Sequence, residues 1–316
     1  MAEPLKLAFI GAGMMALDHL KAFADMPECR VAGIQSRTRS KCDALSATFG
    51  IPLVAGSIAE LYEKTRADLV VVTVNETSMR EVCVEAFKYP WKLLIEKPVG
   101  IDYDEAAYLA DLASRNSVVA WAALNRRQHS SLKSVLGELA HDSGKRFIHV
   151  MDQEDQIAAR AFGHPERLVQ NWMFANAIHM VDYFAILGRG EVTGATPVVP
   201  WDPGNPGLVI SRIDYASGDV GLYQAIWNAP APWTVSVSTP EKYLELRPLE
   251  QASIRTAVRR KAEPYPVHPW DTDFKPGFRA QAEEAVKAVR GKPHNLAGLD
   301  AALSTMRLIN AIYFGK

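Results

Sequence analysis

The stretch "KLLIEKPVG", residues 92–100, puts a carboxylate and an ammonium side by side at the end of a short apolar run, with a proline directly behind them. A strand that feeds a core usually turns on small or neutral residues, so Glu96-Lys97-Pro98 asks for a reason. Lysine in a partly desolvated pocket loses affinity for its proton, and it then serves as a general acid or base at a hydroxyl or carbonyl oxygen. Glu96 is placed to orient that lysine or to touch a cofactor, and Pro98 to fix the direction of the chain. The triplet alone equally allows a surface ion pair at a strand end.

A second cluster precedes it. In "FIGAGMMALDHL" the residues Gly11-Ala12-Gly13-Met14-Met15-Ala16 follow an apolar run and open a helical pattern. This is the GxGxxA form of the dinucleotide fingerprint. Gly11 permits the tight turn, Gly13 lets the backbone approach a pyrophosphate, and small Ala16 allows close packing of helix on strand. A site for NAD ordinarily carries Asp or Glu about 20 residues later to hold the ribose 2′-hydroxyl. Here "GIQSRTRSK" has no acid between Arg30 and Cys42, and Ser36, Arg37, Arg39 and Lys41 stand there instead. An arginine over adenine with a hydroxyl beside it suits a 2′-phosphate, so the cofactor expected is NADP(H), with NAD(H) also possible. A nicotinamide cofactor gives Lys97 its task, because hydride transfer needs a proton moved at the alcohol oxygen.

Two further polar groups lie downstream. "HVMDQEDQ", 149–156, resembles a strand leaving the core for a pocket mouth. His149, Met151 and Gln153 would point one way and Val150, Asp152 and Glu154 the other. Its acids lack the spacing of a metal site and hydride transfer needs no metal, so substrate hydrogen bonds or a structural charge network are the expected uses. In "WMFANAIHMVDYF" helical spacing brings Asn176, His179 and Tyr183 near one face. On its own this allows a buried helix whose histidine is satisfied by Asp182 or a carbonyl. Asp152, Gln153, Arg126, Asn171, Trp172 and Asn176 have the chemistry to bind a hydroxyl-rich substrate, while Arg160 and Arg167 suit a phosphate handle.

These residues need a scaffold. The first ~120 residues alternate apolar runs at 5–11, 30–35, 68–74, 92–95 and 118–124 with helical patterns, as βα units of a parallel sheet do. Ser78 with Glu81 reads as a capping box, Met79, Val82, Cys83 and Ala86 as the buried face of that helix, and Gly50 as a helix stop. After about residue 145 come hairpin signals at Ser217-Gly218-Asp219 and Pro240-Glu241, then helices over 276–290 and 298–314. The expected class is α/β: a doubly wound Rossmann domain over 1–123, and an α+β domain with a mainly antiparallel open sheet over 124–316.

The chain has 316 residues, 48% hydrophobic and 22% charged, with 35 Lys and Arg against 36 Asp and Glu. That near balance gives no electrostatic case for nucleic acid or a membrane surface. No apolar run nears the ~18 residues of a membrane span, and no secretory signal is read, so the cytoplasm is the expected compartment. Cys29, Cys42 and Cys83 show neither CxxC nor disulfide spacing.

"GAGMMA", "SRTRSK", "TVNETS" and "IEKPVG" after successive strands, followed by "ALNRRQHSSL", "ANAIHMVDYF" and "FKPGFRAQAEEAVKAVRG", resemble the Gfo/Idh/MocA oxidoreductases over nearly the whole chain. The resemblance implies an NAD(P)-binding Rossmann domain and a C-terminal sheet that builds homodimers or homotetramers, for which the strand faces "SRIDY" and "WTVSV" are the expected surfaces. It carries proton transfer to Lys97, with His179 assisting. Cofactor contacts would come from Gly11, Gly13, Met14, Met15, Ser36, Arg37, Arg39, Thr73, Asn75, Glu96, Lys97 and Asn125. Two positions depart from the family pattern: Ala175 replaces a frequent Asp, and Val74 the proline of a "TPN" turn. The activity implied is hydride transfer to or from a secondary hydroxyl or carbonyl of a sugar, cyclitol or similar small molecule. Alternatives are a non-catalytic NAD(P)-binding regulator and a reductase of imine or tetrapyrrole-like double bonds.

Overall fold

A computed structural model describes residues 3–258 and 260–315. It opens as the alternation predicts: β1 (Leu5–Ile10), α1 (Met14–Ala24), β2 (Cys29–Gln35), α2 (Arg39–Phe49), β3 (Val54–Ala55), α3 (Ile58–Thr65), β4 (Leu69–Val72), α4 (Glu76–Ala86), β5 (Lys92–Ile95), α5 (Tyr103–Arg115) and β6 (Val119–Ala122). The strands pair in the order β6-β5-β4-β1-β2-β3, all parallel, the doubly wound Rossmann arrangement. Every residue of β4 is buried, as a strand covered on both faces requires. The switch point lies between β1 and β4, where the chain leaves the sheet in opposite directions and opens a crevice. Gly50 stops α2 in the left-handed conformation, as expected, and Cys83 is a core thiol that burial pushes up to about 12.

The second compact unit carries α6 (Ser130–Leu139), β7 (Phe147–Glu154), α7 (Gln156–Ala161), α8 (Glu166–Gln170), α9 (Trp172–Ala175) and α10 (Ile178–Leu187). Strands β8 (Val192–Val199), β9 (Leu208–Tyr215), β10 (Val220–Trp227), β11 (Thr234–Ser238), β12 (Lys242–Leu246), β13 (Ala252–Thr256) and β14 (Glu263–Pro264) follow. Its eight-stranded sheet runs β14-β13-β12-β11-β7-β10-β9-β8 and is antiparallel except for the β7–β10 pair. Both expected hairpins are present, with Gly218 at positive φ in the β9–β10 turn. Helices α6 and α10 cover one face, onto which Val150, Tyr223, Val235 and Leu244 point.

The chain then returns to the first unit through α11 (Trp270–Asp273), α12 (Phe278–Val289) and the short strand β15 (Ala297–Gly298), which pairs antiparallel with β6. Helix α12 lays Phe278, Ala282, Ala285 and Val286 against α1, and its small residues permit that close approach. Arg279 pairs with Asp25 at 2.7 Å beside this contact. The units are therefore Met1–Gln128 with Trp270–Leu303, and His129–Pro269 with Ser304–Lys316; the final helix α13 (Leu299–Phe314) crosses the boundary. A single division at 123/124 is a simplification, because a chain pattern cannot display a long-range return. Among the described residues no helix is long and apolar enough to cross a membrane.

Candidate active site

Gly11 follows β1 with φ +112°, and a Cβ there would lie 2.5 Å from the Thr73 carbonyl oxygen. Only glycine lets the β1 turn pass this close to the end of β4. Gly13 is the N-cap of α1 and has no side-chain cap, so the first N–H groups of an eleven-residue helix face outward. A Cβ on Gly13 would meet nothing within 4 Å. That open space in front of a bare helix N-terminus fits a pyrophosphate. Met14, 79% exposed, and half-buried Met15 flank it, with the Lys275 ammonium 3.2 Å from the Met15 sulfur.

Beside the cradle lies a groove of about 210 Å³ lined by Gly11, Gly13, Ser36, Arg37, Lys41 and Thr73, among others, with no carboxylate in its wall. A drug-sized pocket takes roughly 300–1,000 Å³, so this groove suits one end of a dinucleotide. The Arg37 guanidinium donates to Ser78 Oγ at 2.9 Å, which ties the end of β2 to α4. Sequence spacing made Ser78 a helix cap. The cap is Asn75, whose Oδ1 accepts from the Ser78 N–H at 3.0 Å, and that frees the serine hydroxyl for Arg37. Asn75 lines the groove, but its side-chain oxygen is occupied by this capping bond. Arg39 turns away: it is exposed and pairs with Asp43 one helical turn on, at 3.0 Å, so it is not in the groove wall.

Glu96 and Lys97 emerge from β5 at the same sheet edge, one strand beyond β4. Glu96 is buried, and its N–H donates to the Val72 carbonyl at 2.8 Å. Lys97 is half-buried, and the Lys97–Pro98 peptide is cis. Burial holds the Lys97 ammonium below its ordinary value, against the pull of Glu96 and Glu76 and with the push of Arg126 and Lys275. Arg126 stands in the 3-10 turn Asn125–Gln128, where Asn125 donates to the Pro276 carbonyl at 2.9 Å. Glu76, Lys275 and His19, the partner of Glu96, were not foreseen. One signal existed for His19: it interrupts the apolar stripe Ala16, Leu20 and Phe23, and a polar residue in such a stripe needs a partner.

The remaining candidates belong to the second unit. Strand β7 shows the expected alternation and lies inside the sheet, between β11 and β10. Asp152 and Glu154 are wholly buried on the helix-covered face, whereas Gln153 is on the other, so Asp152 and Gln153 do not share a surface. Asp152 accepts from Tyr223 at 2.9 Å, Tyr223 meets Tyr313 at 3.0 Å, and Glu154 accepts from Asn176 at 3.1 and 3.2 Å. The helical stretch expected in "WMFANAIHMVDYF" is two helices, α9 and α10, and Asn176 sits in the break between them. The His179 N–H bonds back to the Asn176 carbonyl at 3.4 Å; His179 is half-buried in the first turn of α10, and Tyr183 is buried. Asp182 accepts from Thr305 at 2.8 Å. Asn171 donates to the Arg167 carbonyl, and the Trp172 ring packs on His164. Arg160 is engaged by Glu166 on the surface, at 2.9 Å.

The Gfo/Idh/MocA family, described as oxidoreductases with an NAD-binding Rossmann fold, matches residues 5–124. No curated protein sequence matches the chain. Among solved structures, a dehydrogenase from Chromobacterium violaceum superposes with TM-score 0.83 at 18% identity, over 98% of this chain and 95% of that one. UDP-N-acetylglucosamine 3-dehydrogenase from Acidithiobacillus ferrooxidans gives 0.79 at 15%, over 99% and 97%. An Agrobacterium radiobacter oxidoreductase in complex with NAD+, L-tartaric acid and magnesium gives 0.77 at 16%, also over 99% and 97%. At such identities these likenesses speak to the fold.

Proposed function

We propose, from the match of residues 5–124 to the Gfo/Idh/MocA oxidoreductases with an NAD-binding Rossmann fold, that the chain transfers a hydride between NADP(H) and a secondary hydroxyl or carbonyl of a sugar, cyclitol or related small molecule. The observation that carries this reading is one sheet edge on which a bare helix N-terminus, an acid-free cationic groove and a half-buried amine stand together. The nicotinamide, when bound, supplies or takes the hydride. Gly11 and Gly13 admit the pyrophosphate to the α1 N-terminus, and Arg37 with Ser36 and Lys41 receives the 2′-phosphate. Lys97, already depressed by burial, accepts the alcohol proton in oxidation and returns it to the alkoxide oxygen in reduction. The assisting role falls to His179 on the family resemblance alone. The hydroxyl-rich substrate class is supported by the similarity to UDP-N-acetylglucosamine 3-dehydrogenase, a fold likeness only.

Titrating the purified protein with NADPH and NADH, followed by a screen of sugars and cyclitols, tests the reading. Preferential NADPH binding and turnover that Lys97→Ala abolishes are expected. Equal affinity for the two cofactors overturns the NADP(H) assignment. Tight NADPH binding without turnover on any hydroxyl substrate would favour a regulator, a reading that Ala175 in place of the family's acid also favours.

A further inference from the structure

His19 lies in the second turn of α1, wholly buried, on the stripe of Ala16, Leu20 and Phe23. Its Nε2 is 2.8 Å from Glu96 Oε1, across 77 residues of sequence. The ring packs on Phe278, with centroids 4.6 Å apart, and Nδ1 is buried with no hydrogen-bond partner among the described residues. A neutral imidazole has one N–H to give. With a carboxylate at Nε2 and no acceptor at Nδ1, that hydrogen belongs on Nε2, donated to Glu96. Glu96 in turn accepts the backbone N–H of Lys97 at Oε2, 3.1 Å away. A continuous chain of bonds thus runs from the helix that offers the pyrophosphate cradle to the residue that carries the amine. Burying such a polar pair costs free energy that apolar residues of the same size would not, so packing alone does not account for it.

We propose that His19 is a positioning residue: by donating to Glu96 Oε1 it pins the Glu96 carboxylate against the Lys97 backbone, and so fixes both the direction of Lys97 and the negative charge beside it. The inference rests on Lys97 being the proton-transfer group. Glu96 is the foremost charge opposing the downward push of burial on Lys97, ahead of Glu76, while Arg126 and Lys275 act with burial. Releasing Glu96 therefore lets Lys97 fall further.

The test is an NMR titration of the full chain with 13C-labelled lysines, the Lys97 signal being identified by its absence in Lys97→Arg. In His19→Leu the Lys97 midpoint is expected at lower pH than in wild type. His19→Gln, whose amide nitrogen reaches the place of Nε2, is expected to restore it. Glu96→Gln should reproduce the fall, and His19→Leu combined with Glu96→Gln should add nothing to it. An unmoved Lys97 midpoint in His19→Leu, or two shifts that simply add in the double variant, overturns the proposal. Should His19→Leu fail to fold, His19→Gln and Glu96→Gln still decide: wild-type behaviour in Glu96→Gln, or a Lys97 midpoint in His19→Gln as low as that of Glu96→Gln, overturns it. If the midpoints move as expected and Lys97→Ala retains turnover, the pinning stands and the proton-transfer reading falls separately.

Discussion

On the proposed NADP(H) reading, two hydrogen bonds on Ser78 bear on cofactor choice at the level of single side chains. Its backbone N–H satisfies the Asn75 cap and its hydroxyl holds the Arg37 guanidinium, which fixes the direction of the arginine. A charge-assisted hydrogen bond contributes about 1.5–3 kcal/mol, roughly a tenfold to hundredfold change in affinity. Arg37→Ala should therefore weaken NADPH binding by that factor and leave NADH nearly untouched. Ser78→Ala should give a smaller loss in the same direction, and equal losses for both cofactors would assign Ser78 to the fold instead. Lys97 yields a sign as well as a site. Its affinity for a proton is lowered by burial from an ordinary 10.5, so alcohol oxidation, which needs the neutral amine, should rise with pH through a midpoint below that value. Carbonyl reduction should fall over the same range. Lowering also means that the unfolded chain binds the extra proton, so the contribution of Lys97 to stability increases as pH climbs from the folded midpoint towards the unfolded one. A rate profile that tracks an unshifted lysine would remove Lys97 from the proton transfer.

At the level of elements, the two glycines after β1 answer to different demands, and substitution separates them. Gly11 is required by the backbone: with φ +112° and the Thr73 carbonyl 2.5 Å from any Cβ, Gly11→Ala should destabilise the protein by roughly 1–3 kcal/mol. Gly13 has ordinary φ and open space around it, so Gly13→Ala should fold with an unchanged Tm. Its methyl group would stand where the pyrophosphate comes to the helix N-terminus, and cofactor binding should be lost. Binding that survives in folded Gly13→Ala would mean that the cradle lies elsewhere. The same elements explain what was legible in the chain beforehand. Strand β4 announces itself as an unbroken apolar run because both its faces are buried, and β1, β2, β5 and β6 as mainly apolar ones, whereas β3 is only two residues long and leaves no periodic trace. The break at Asn176 was hidden because the apolar spacing on either side continues as though the helix did. Arg37 and Arg39 look alike in "SRTRSK", and only Asp43 one turn beyond Arg39 tells them apart. The His19–Glu96 pair joins residues 77 apart, a distance at which local spacing carries no information.

For the molecule as a whole, the eight-stranded sheet poses the remaining question. Helices α6 and α10 cover one face. The other carries Ile210, Leu222, Ile226 and Met151, half-exposed, between His149, Gln224 and Ser236. This is the side to which Arg212 of "SRIDY" and Thr234 and Ser236 of "WTVSV" belong by alternation, so the faces singled out from sequence lie on it. Strands spaced about 4.8 Å apart and rising about 3.3 Å per residue make the central strands a surface of several hundred Å², comparable with the ~800 Å² that a standard interface takes from each partner. The four apolar side chains there, rimmed by polar ones, make a surface of the kind that marks a protein contact. We expect a second copy of the chain to cover it, giving a homodimer, or a homotetramer if a further surface is used. Placing charge at the centre, as in Leu222→Glu with Ile226→Glu, should convert the oligomer to monomer in sedimentation analysis. NADPH affinity should stay intact, because the cofactor groove is built wholly within the first unit. A wild-type chain that sediments as a monomer at all concentrations would overturn this expectation, and the face would then need another occupant.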